Sequence, residues 1–403
     1  MRKPLASERF GTPQFLAAVL LLVFIAECAW LIAHQPSSVL SQDELVRMEQ
    51  GIAQWRGQGI AGTPSIKIAF RDPNQNYDEL FDRNHSPLYF LIGTAPIALF
   101  RPSADSWLWP WLTRAPYVFF GTMLGASLWY VSRRLYGNAG GYIALALYCF
   151  SPAVIRSAVL WAAPPNIAPA WGTFGAVFTA IAVSHTLYAP REVVLWNWRR
   201  IVLLAVSLAL AIGSQFGFVI IIPVLLGIML YLAPNRKRAA SVILAASCLI
   251  ALIILFGSYF FHPATFTSSL RHARWLDASW SSLKMPGAYL QFVRELVESG
   301  PILLVVVPGV FLTFFIWPRA RYFGNTAPLL IVILMALLRL LSPHDSVSVY
   351  GLITVVFLFV FIAGIAADLL ETRRRDLIAA VITGLIAANA MWSLAGLVHI
   401  ARQ

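Results

Sequence analysis

Charged residues are scarce in this sequence of 403 residues. Only 12% are Asp, Glu, Lys or Arg, whereas 59% are hydrophobic. Soluble globular domains carry about 25% charged residues, so this composition excludes an ordinary soluble domain. Repeated apolar runs of about 20 residues instead predict helices that cross a membrane. The short period-two alternation that is typical of a membrane β-barrel is missing.

Cysteines are few, and the common motifs of soluble enzymes are missing. Cys28, Cys149 and Cys248 lie inside apolar runs, far apart in sequence, and show neither metal-binding spacing nor a disulfide framework. This pattern favours small apolar core residues. There is no glycine-rich phosphate loop, no Ser-His-Asp pattern and no redox motif. A soluble nucleotide donor is therefore not supported.

The net charge of +12 does not indicate a nucleic-acid-binding protein. The basic residues form short clusters between the apolar runs, as expected for loops on the cytoplasmic side of a membrane. The basic stretch 1–13 is therefore predicted to lie in the cytoplasm. The apolar run after it has the length of a span and no clear cleavage site, so we expect the first helix to be retained.

The distribution of these clusters predicts an all-α polytopic membrane protein with about eleven transmembrane helices in one integral domain, 1–403. The apolar segment 87–100 is short for a span and is expected to lie along the membrane surface. If it crossed, the basic pair at 133–134 would lie outside. Two large outer loops result, 35–113 and 262–300. The predicted spans are 15–34, 112–131, 139–160, 167–187, 201–213, 216–232, 239–261, 301–317, 327–341, 347–367 and 377–400.

The first outer loop, 35–113, is the long polar region of the chain and the predicted place of the active site, with juxtamembrane helices. Asp43 and Glu44 follow the first span directly. A carboxylate near a membrane surface can act as a general base toward an acceptor hydroxyl or amine. The pair also fits the start of a helix, with Ser41 or Asp43 as its N-cap. Both interpretations can hold together.

Several ionisable residues lie in or near the spans. Arg114, Arg156 and Arg339 are predicted close to the outer ends of three spans. An arginine at this depth either extends its charged group to the surface or pairs with an anion, and a lipid phosphate is such an anion. Glu27 lies within the first apolar run and is either functional or hydrogen-bonded to a neighbouring helix.

Three histidines, His85, His272 and His344, are predicted on the outer side, together with several carboxylates. A divalent metal ion could be gathered there. However, the sequence contains no closely spaced histidine pair that is typical of a metal site. Ordinary interfacial histidines are the alternative, and the cofactor stays unassigned.

The order of these features resembles that of the GT-C class of polytopic glycosyltransferases, which includes protein O-mannosyltransferases and lipid A aminoarabinose transferases. The similar segments, in chain order, are Asp43-Glu44 after the first span, His85-Ser86-Pro87-Leu88, Arg114 to Tyr130 with Arg133 to Gly137, Ser151 to Ala170, and His344 to Tyr350. The resemblance implies a donor sugar on a polyprenyl phosphate and Asp43 as the base that activates the acceptor.

The chain departs from the pattern of this class at three of its motifs. An acid of the class would fall at Asn166, an arginine at Val349 beside Tyr350, and a proline at Ser86. Asn166, His344 and Tyr350 are, by this resemblance, candidates for substrate contacts.

The sequence thus predicts an inverting glycosyltransferase of the inner membrane. It would move a sugar from a polyprenyl-phosphate carrier in the bilayer to an acceptor glycan, lipid or protein on the periplasmic side. Asp43 is the predicted base, Glu44 and His85 line the acceptor side, and the three arginines are candidates for the carrier phosphate. Two alternatives stay open. A transporter or flippase would need polar residues deep in several spans and paired halves, and a non-catalytic binding or assembly subunit is favoured by Asn166.

Overall fold

The computed structural model of the protein describes residues 12–34, 42–61, 83–103, 106–159, 166–188, 198–276, 278–342 and 349–400. Within these ranges the secondary structure is helical, with short 3₁₀ turns. The α-helices are α1 (Thr12–His34), α2 (Gln42–Trp55), α3 (Pro87–Phe100), α4 (Trp109–Cys149), α5 (Pro152–Val159), α6 (Ile167–Thr186), α7 (Trp198–Ser214), α8 (Ile221–Leu232), α9 (Lys237–Ser258), α10 (Pro263–His272), α11 (Pro286–Ser299), α12 (Leu303–Ile316), α13 (Phe323–Leu341), α14 (Val349–Leu370) and α15 (Arg375–Ile400).

The predicted all-α membrane fold is confirmed, but the expected count of eleven spans is not. In the described part of the chain, six helices are long and apolar enough to cross a membrane, or up to eight if each of two bent helix pairs forms one span. The chain is therefore a multi-pass membrane protein. Two shorter apolar helices fall below that length: α3, and α8 together with the 3₁₀ turn that precedes it, over 216–232.

The centre of the bundle is α14. Every residue from Val349 to Ala367 is buried. This segment is apolar on all of its faces, and a helix without a polar face must be surrounded by other helices or lipid. Here α14 packs against α4, α6 and α13. It is the scaffold on which the outer helices are arranged.

Helix α4 is a hairpin rather than one rod. The Tyr148 hydroxyl donates a hydrogen bond of 2.6 Å to the carbonyl of Gly121, 27 residues earlier. In a straight helix these residues would lie about 40 Å apart. The reversal occurs at Gly137, whose φ of 75° is a conformation that glycine adopts without steric cost. The predicted spans 112–131 and 139–160 lie on the two arms of this hairpin.

The second of these predicted spans is not continuous. Its helix ends at Cys149, and a new helix begins at Pro152 after a bend of 62°. Proline has no N–H to donate and is favoured in the first turn of a helix, so it ends the preceding helix and starts the next. The short helix α5 therefore carries Arg156 away from the axis of the span.

Helix α3 matches its prediction in bounds. It begins at Pro87 and ends at Phe100, where Arg101 adopts a left-handed conformation and its N–H caps the carbonyl of Ile97. That α3 lies along the membrane surface stays a prediction. Glu27, in α1, is 6% exposed, and neither of its carboxylate oxygens has a hydrogen-bond partner among the described residues.

Candidate active site

Helix α2 carries the predicted catalytic pair and is held closely against α3. Asp43 and Glu44 belong to the first turn of α2, and their side chains lie outside the described part of the chain, as does Ser41. Further along α2, a Cβ atom added to Gly51 would lie 2.5 Å from the hydroxyl of Thr94 in α3. Only glycine permits this approach, so Gly51 sets the contact between the two helices.

A short chain of side chains connects α2 to His85. Arg47 follows Asp43 by four residues and therefore lies on the same face of α2. Its guanidinium donates a hydrogen bond of 3.3 Å to the hydroxyl of Tyr89. The ring of Tyr89 stacks on that of His85, with centroids 4.6 Å apart. Sequence reasoning missed Arg47 and Tyr89, although each stands four residues after a predicted site residue.

The segment before α3 is fixed to a break between α7 and the 3₁₀ turn that precedes α8. The N–H and the hydroxyl of Ser86 both donate to the carbonyl of Gly213, at 2.9 and 2.8 Å. The N–H of Phe216 donates to the carbonyl of Asn84 at 2.8 Å. These backbone groups are left without helical partners by the break, so they are satisfied by the neighbouring segment. His85 is held between them and is 6% exposed.

Tyr350 reaches the same break from the other side. It is 3% exposed, and its ring lies 5.3 Å from that of Phe218. A Cβ atom added to Gly217 would lie 2.8 Å from the Tyr350 hydroxyl. The break at 213–217 is therefore contacted by Tyr350 on one side and by the segment that holds His85 on the other.

Two residues of the predicted outer loop 262–300, Arg274 and Trp275, lie against this break. The N–H of Arg274 donates to the carbonyl of Arg83 at 2.8 Å, and the ring of Trp275 lies 5.5 Å from that of Phe216. Beside them, the side-chain oxygen of Gln215 is buried and has no hydrogen-bond partner among the described residues. The part-exposed indole is suited to a sugar, whose ring can stack on it.

Two further predicted residues are buried polar groups. Arg114 is 7% exposed and donates to the hydroxyl of Thr113 at 3.0 Å. It follows the start of α4 by one turn. Asn166 is 3% exposed and immediately precedes α6.

Arg156 and Arg339 both have glutamate partners on α11. Arg339 is 1% exposed, and its Nε lies 3.0 Å from each carboxylate oxygen of Glu295. Arg156 lies 3.8 Å from Glu298. The anion that each arginine meets in this structure is thus a carboxylate of the protein. Their predicted role toward a carrier phosphate stays a prediction.

A divalent metal ion at the outer histidines stays unassigned. In the described ranges, no group of three or more His, Cys, Asp or Glu side chains is arranged to hold a metal ion. His344 lies outside the described residues. The Nδ1 atom of His272 is hydrogen-bonded to the carbonyl of Ser268 in the same helix, at 2.8 Å.

Comparison with known proteins gives a fold and no closer relationship. No protein-family model matches the chain, and no curated protein matches it in sequence. Its structure is similar to the crystal structure of ArnT from Cupriavidus metallidurans bound to undecaprenyl phosphate. The TM-score is 0.60 and the identity 14%, over 87% of this chain and 59% of that one.

It is also similar to the archaeal oligosaccharyltransferase AglB from Archaeoglobus fulgidus in complex with an inhibitory peptide and a dolichol-phosphate. Here the TM-score is 0.56 and the identity 13%, over 96% of this chain and 55% of that one. ArnT, an aminoarabinose transferase, and AglB are both GT-C glycosyltransferases. The chain therefore has the GT-C fold, which confirms the predicted resemblance at the level of fold. It spans less than two thirds of the length of either protein.

Proposed function

We propose that the protein is a glycosyltransferase that takes a sugar from a polyprenyl-phosphate carrier and transfers it to an acceptor on the outer face of the inner membrane. The observation that carries this proposal is the GT-C fold, shared with two transferases whose solved structures contain undecaprenyl phosphate or a dolichol-phosphate. It is supported by the break at 213–217, against which both Tyr350 and the segment of His85 pack. Tyr89 connects His85 to Arg47 in the helix of Asp43.

In the proposed reaction, Asp43 accepts the proton of an acceptor hydroxyl or amine. The acceptor atom then attacks the anomeric carbon from the face opposite the phosphate. The bond from that carbon to the phosphate oxygen breaks, and polyprenyl phosphate leaves with the electron pair. The anomeric configuration is inverted. Positively charged groups such as Arg114 and Arg156 stabilise the phosphate as its charge develops.

The sugar is proposed to lie at the break over 213–217. The indole of Trp275, which is part-exposed, offers an apolar face on which a sugar ring can stack. Tyr350 is proposed to border this site, because its hydroxyl lies beside Gly217. Glu44 and His85 are proposed on the acceptor side, as the resemblance implies.

The test is transfer by the purified protein in lipid nanodiscs, with a panel of polyprenyl-phosphate sugars and release of free polyprenyl phosphate as the readout. We expect Asp43→Asn to lower turnover by about 10²–10⁴-fold while lipid binding is kept, because only the general base is lost. Asp376→Asn is the matched control, since Asp376 is exposed at the start of α15. Normal turnover by Asp43→Asn would exclude Asp43 as the base. Failure of the wild type to bind any such lipid would exclude the function.

Asn166 favours a second candidate, a non-catalytic binding or assembly subunit. It is buried at the position where the resemblance places an acid. If the chain lost its activity through this change, the wild type would bind lipid-linked sugars without consuming them, and Asn166→Asp would restore measurable transfer. Transfer by the wild type would exclude this candidate.

A further inference from the structure

Helix α11 presents two carboxylates, Glu295 and Glu298, to two arginines from other parts of the chain. The glutamates are three residues apart and share one side of the helix. The two ion pairs differ in access. Arg339 is almost fully buried beside Glu295, whose side chain is 25% exposed. The Nη1 of Arg339 also donates to the carbonyl of Ser342 at 3.3 Å. No external anion can reach this guanidinium while Glu295 occupies it.

The second pair is open. The side chains of Arg156 and Glu298 are each 43% exposed, and their closest charged atoms are 3.8 Å apart. This distance makes an ion pair but not a hydrogen bond. Arg294, one helical turn before Glu298, donates from its Nε to the other carboxylate oxygen at 3.1 Å and is 79% exposed. Arg156, Arg294 and Glu298 together form an accessible cluster, which we call the open cluster.

The position of the open cluster is fixed by the backbone around it. The hydroxyl of Ser151, directly before α5, donates to the carbonyl of Ser299 at 2.8 Å. The side-chain amide of Asn389 donates to the carbonyl of Phe150 at 2.9 Å. Helices α5, α11 and α15 therefore meet at this point. Arg156 and Glu298 are held face to face by their helices rather than by their own weak contact.

The open cluster carries two positive charges and one negative charge, a formal sum of +1. Such a cluster balances an anion of charge −1. A phosphodiester, as in a lipid-linked sugar, carries one negative charge on two oxygens. A phosphate monoester, as in the carrier after transfer, carries about −1.5 to −2 at pH 7 because its second pKa is about 6. The cluster does not balance this additional charge, and the carboxylate of Glu298 repels it.

We propose that Glu298 is a specificity-determining residue for the charge of the phosphate that binds at Arg156 and Arg294. The two guanidiniums bind the phosphodiester of the sugar donor, and Glu298 repels the monoester that transfer produces, which promotes product release. This inference rests on the proposed function and names a residue that the sequence did not single out. A lipid phosphate and inorganic phosphate both present the phosphate oxyanion that the two guanidiniums would bind.

The test compares farnesyl phosphate, a monoester, with farnesyl methyl phosphate, a diester, for binding to wild type and Glu298→Gln in nanodiscs at low salt and pH 7.5. An exposed charge pair changes an equilibrium by up to about fivefold. We expect Glu298→Gln to bind the monoester about fivefold more tightly and the diester only about twofold more tightly. Arg271→Gln is the control, because Arg271 is exposed on α10 and lies outside the open cluster.

A second condition separates charge recognition from a structural effect. At pH 5 the monoester carries a single charge, because this pH lies below its second pKa of about 6. The difference in selectivity between Glu298→Gln and wild type should then disappear. Inorganic phosphate serves as a competitor. If it binds with the same variant dependence and the farnesyl esters do not bind, the site takes a free anion and the proposal is overturned.

The outcomes distinguish this inference from the proposed function. Equal selectivity of wild type and Glu298→Gln at pH 7.5, in a protein that binds both esters and transfers sugar, would overturn the role of Glu298 alone. A selectivity change that persists at pH 5 would also overturn it, since charge would not be its cause. Failure of the wild type to bind the esters and inorganic phosphate alike would instead count against the proposed function.

Discussion

The two ion pairs on α11 have the same chemistry and different surroundings. The pair Arg339–Glu295 has a 1% exposed arginine with two-point contact, whereas the pair Arg156–Glu298 is 43% exposed on both sides with a single long contact. A desolvated charge depends on its partner, and an exposed charge has water as an alternative. Burial therefore makes the first pair a structural connection and leaves the second available to a ligand.

The largest expected effect is on stability, from Glu295→Gln. This change leaves the buried guanidinium of Arg339 without its counter-charge, and breaking a buried pair costs about 3–5 kcal/mol. Thermal unfolding of the purified protein in detergent should show a clear loss of stability. The matched variant Glu298→Gln should change stability by less than about 1 kcal/mol. Equal losses in both variants would remove the distinction between the pairs.

A second prediction concerns replacing both partners of the buried pair. Arg339→Met combined with Glu295→Leu removes both charges and keeps apolar volume at the site. Because buried ion pairs are often replaced by apolar side chains with little loss, the double variant should regain most of the stability that Glu295→Gln loses. The same unfolding measurement checks this. A double variant less stable than Glu295→Gln would show that Arg339 has a further role, for example through its bond to Ser342.

Arg156→Gln should affect binding rather than folding. Because Arg156 is exposed, its pairing with a phosphate contributes up to about 1 kcal/mol, so affinity for farnesyl methyl phosphate should fall by up to about fivefold. Stability should change by less than about 1 kcal/mol, since the side chain is exposed. Isothermal binding and thermal unfolding on the same preparation measure both. An unchanged affinity would exclude Arg156 from the phosphate site.

The smallest expected effect is that of salt. Raising the ionic strength to 1 M shortens the screening length to about 3 Å and should remove most of the selectivity change caused by Glu298→Gln. The stability loss of Glu295→Gln should persist, because a buried pair is screened much less. A salt dependence of similar size for both variants would indicate that both pairs are equally accessible.

The predictions from sequence were closest where the information is local. The bounds of α3, Pro87–Phe100, follow from a proline at one end and the end of an apolar run at the other. The apolar segment within α14 likewise predicts a buried helix wherever it lies. The break at Ser151 was missed, although Pro152 was a visible signal for it. The continuity of the apolar pattern outweighed that proline in the prediction.

Several candidate site residues could be named from the sequence, but the contacts between them could not. His85 and Tyr350 were named from the resemblance, but that Tyr350 and the segment of His85 both pack against 213–218 depends on the break between α7 and α8. Gln215 and Trp275 had no distinguishing pattern in the sequence. The partner of Arg339 is Glu295, 44 residues earlier in the chain, and no local rule connects them.

The sequence by itself determined that this protein is a helical membrane protein, where most of its helices lie, and which polar residues are rare enough to matter. These properties follow from hydrophobic runs, proline positions and charge clusters, which act over a few residues. Only the tertiary structure decided that Arg339 is buried and that Arg156 is accessible. That difference depends on how α11 packs against α5 and α13, because burial, and not residue type, sets what a charged group can bind.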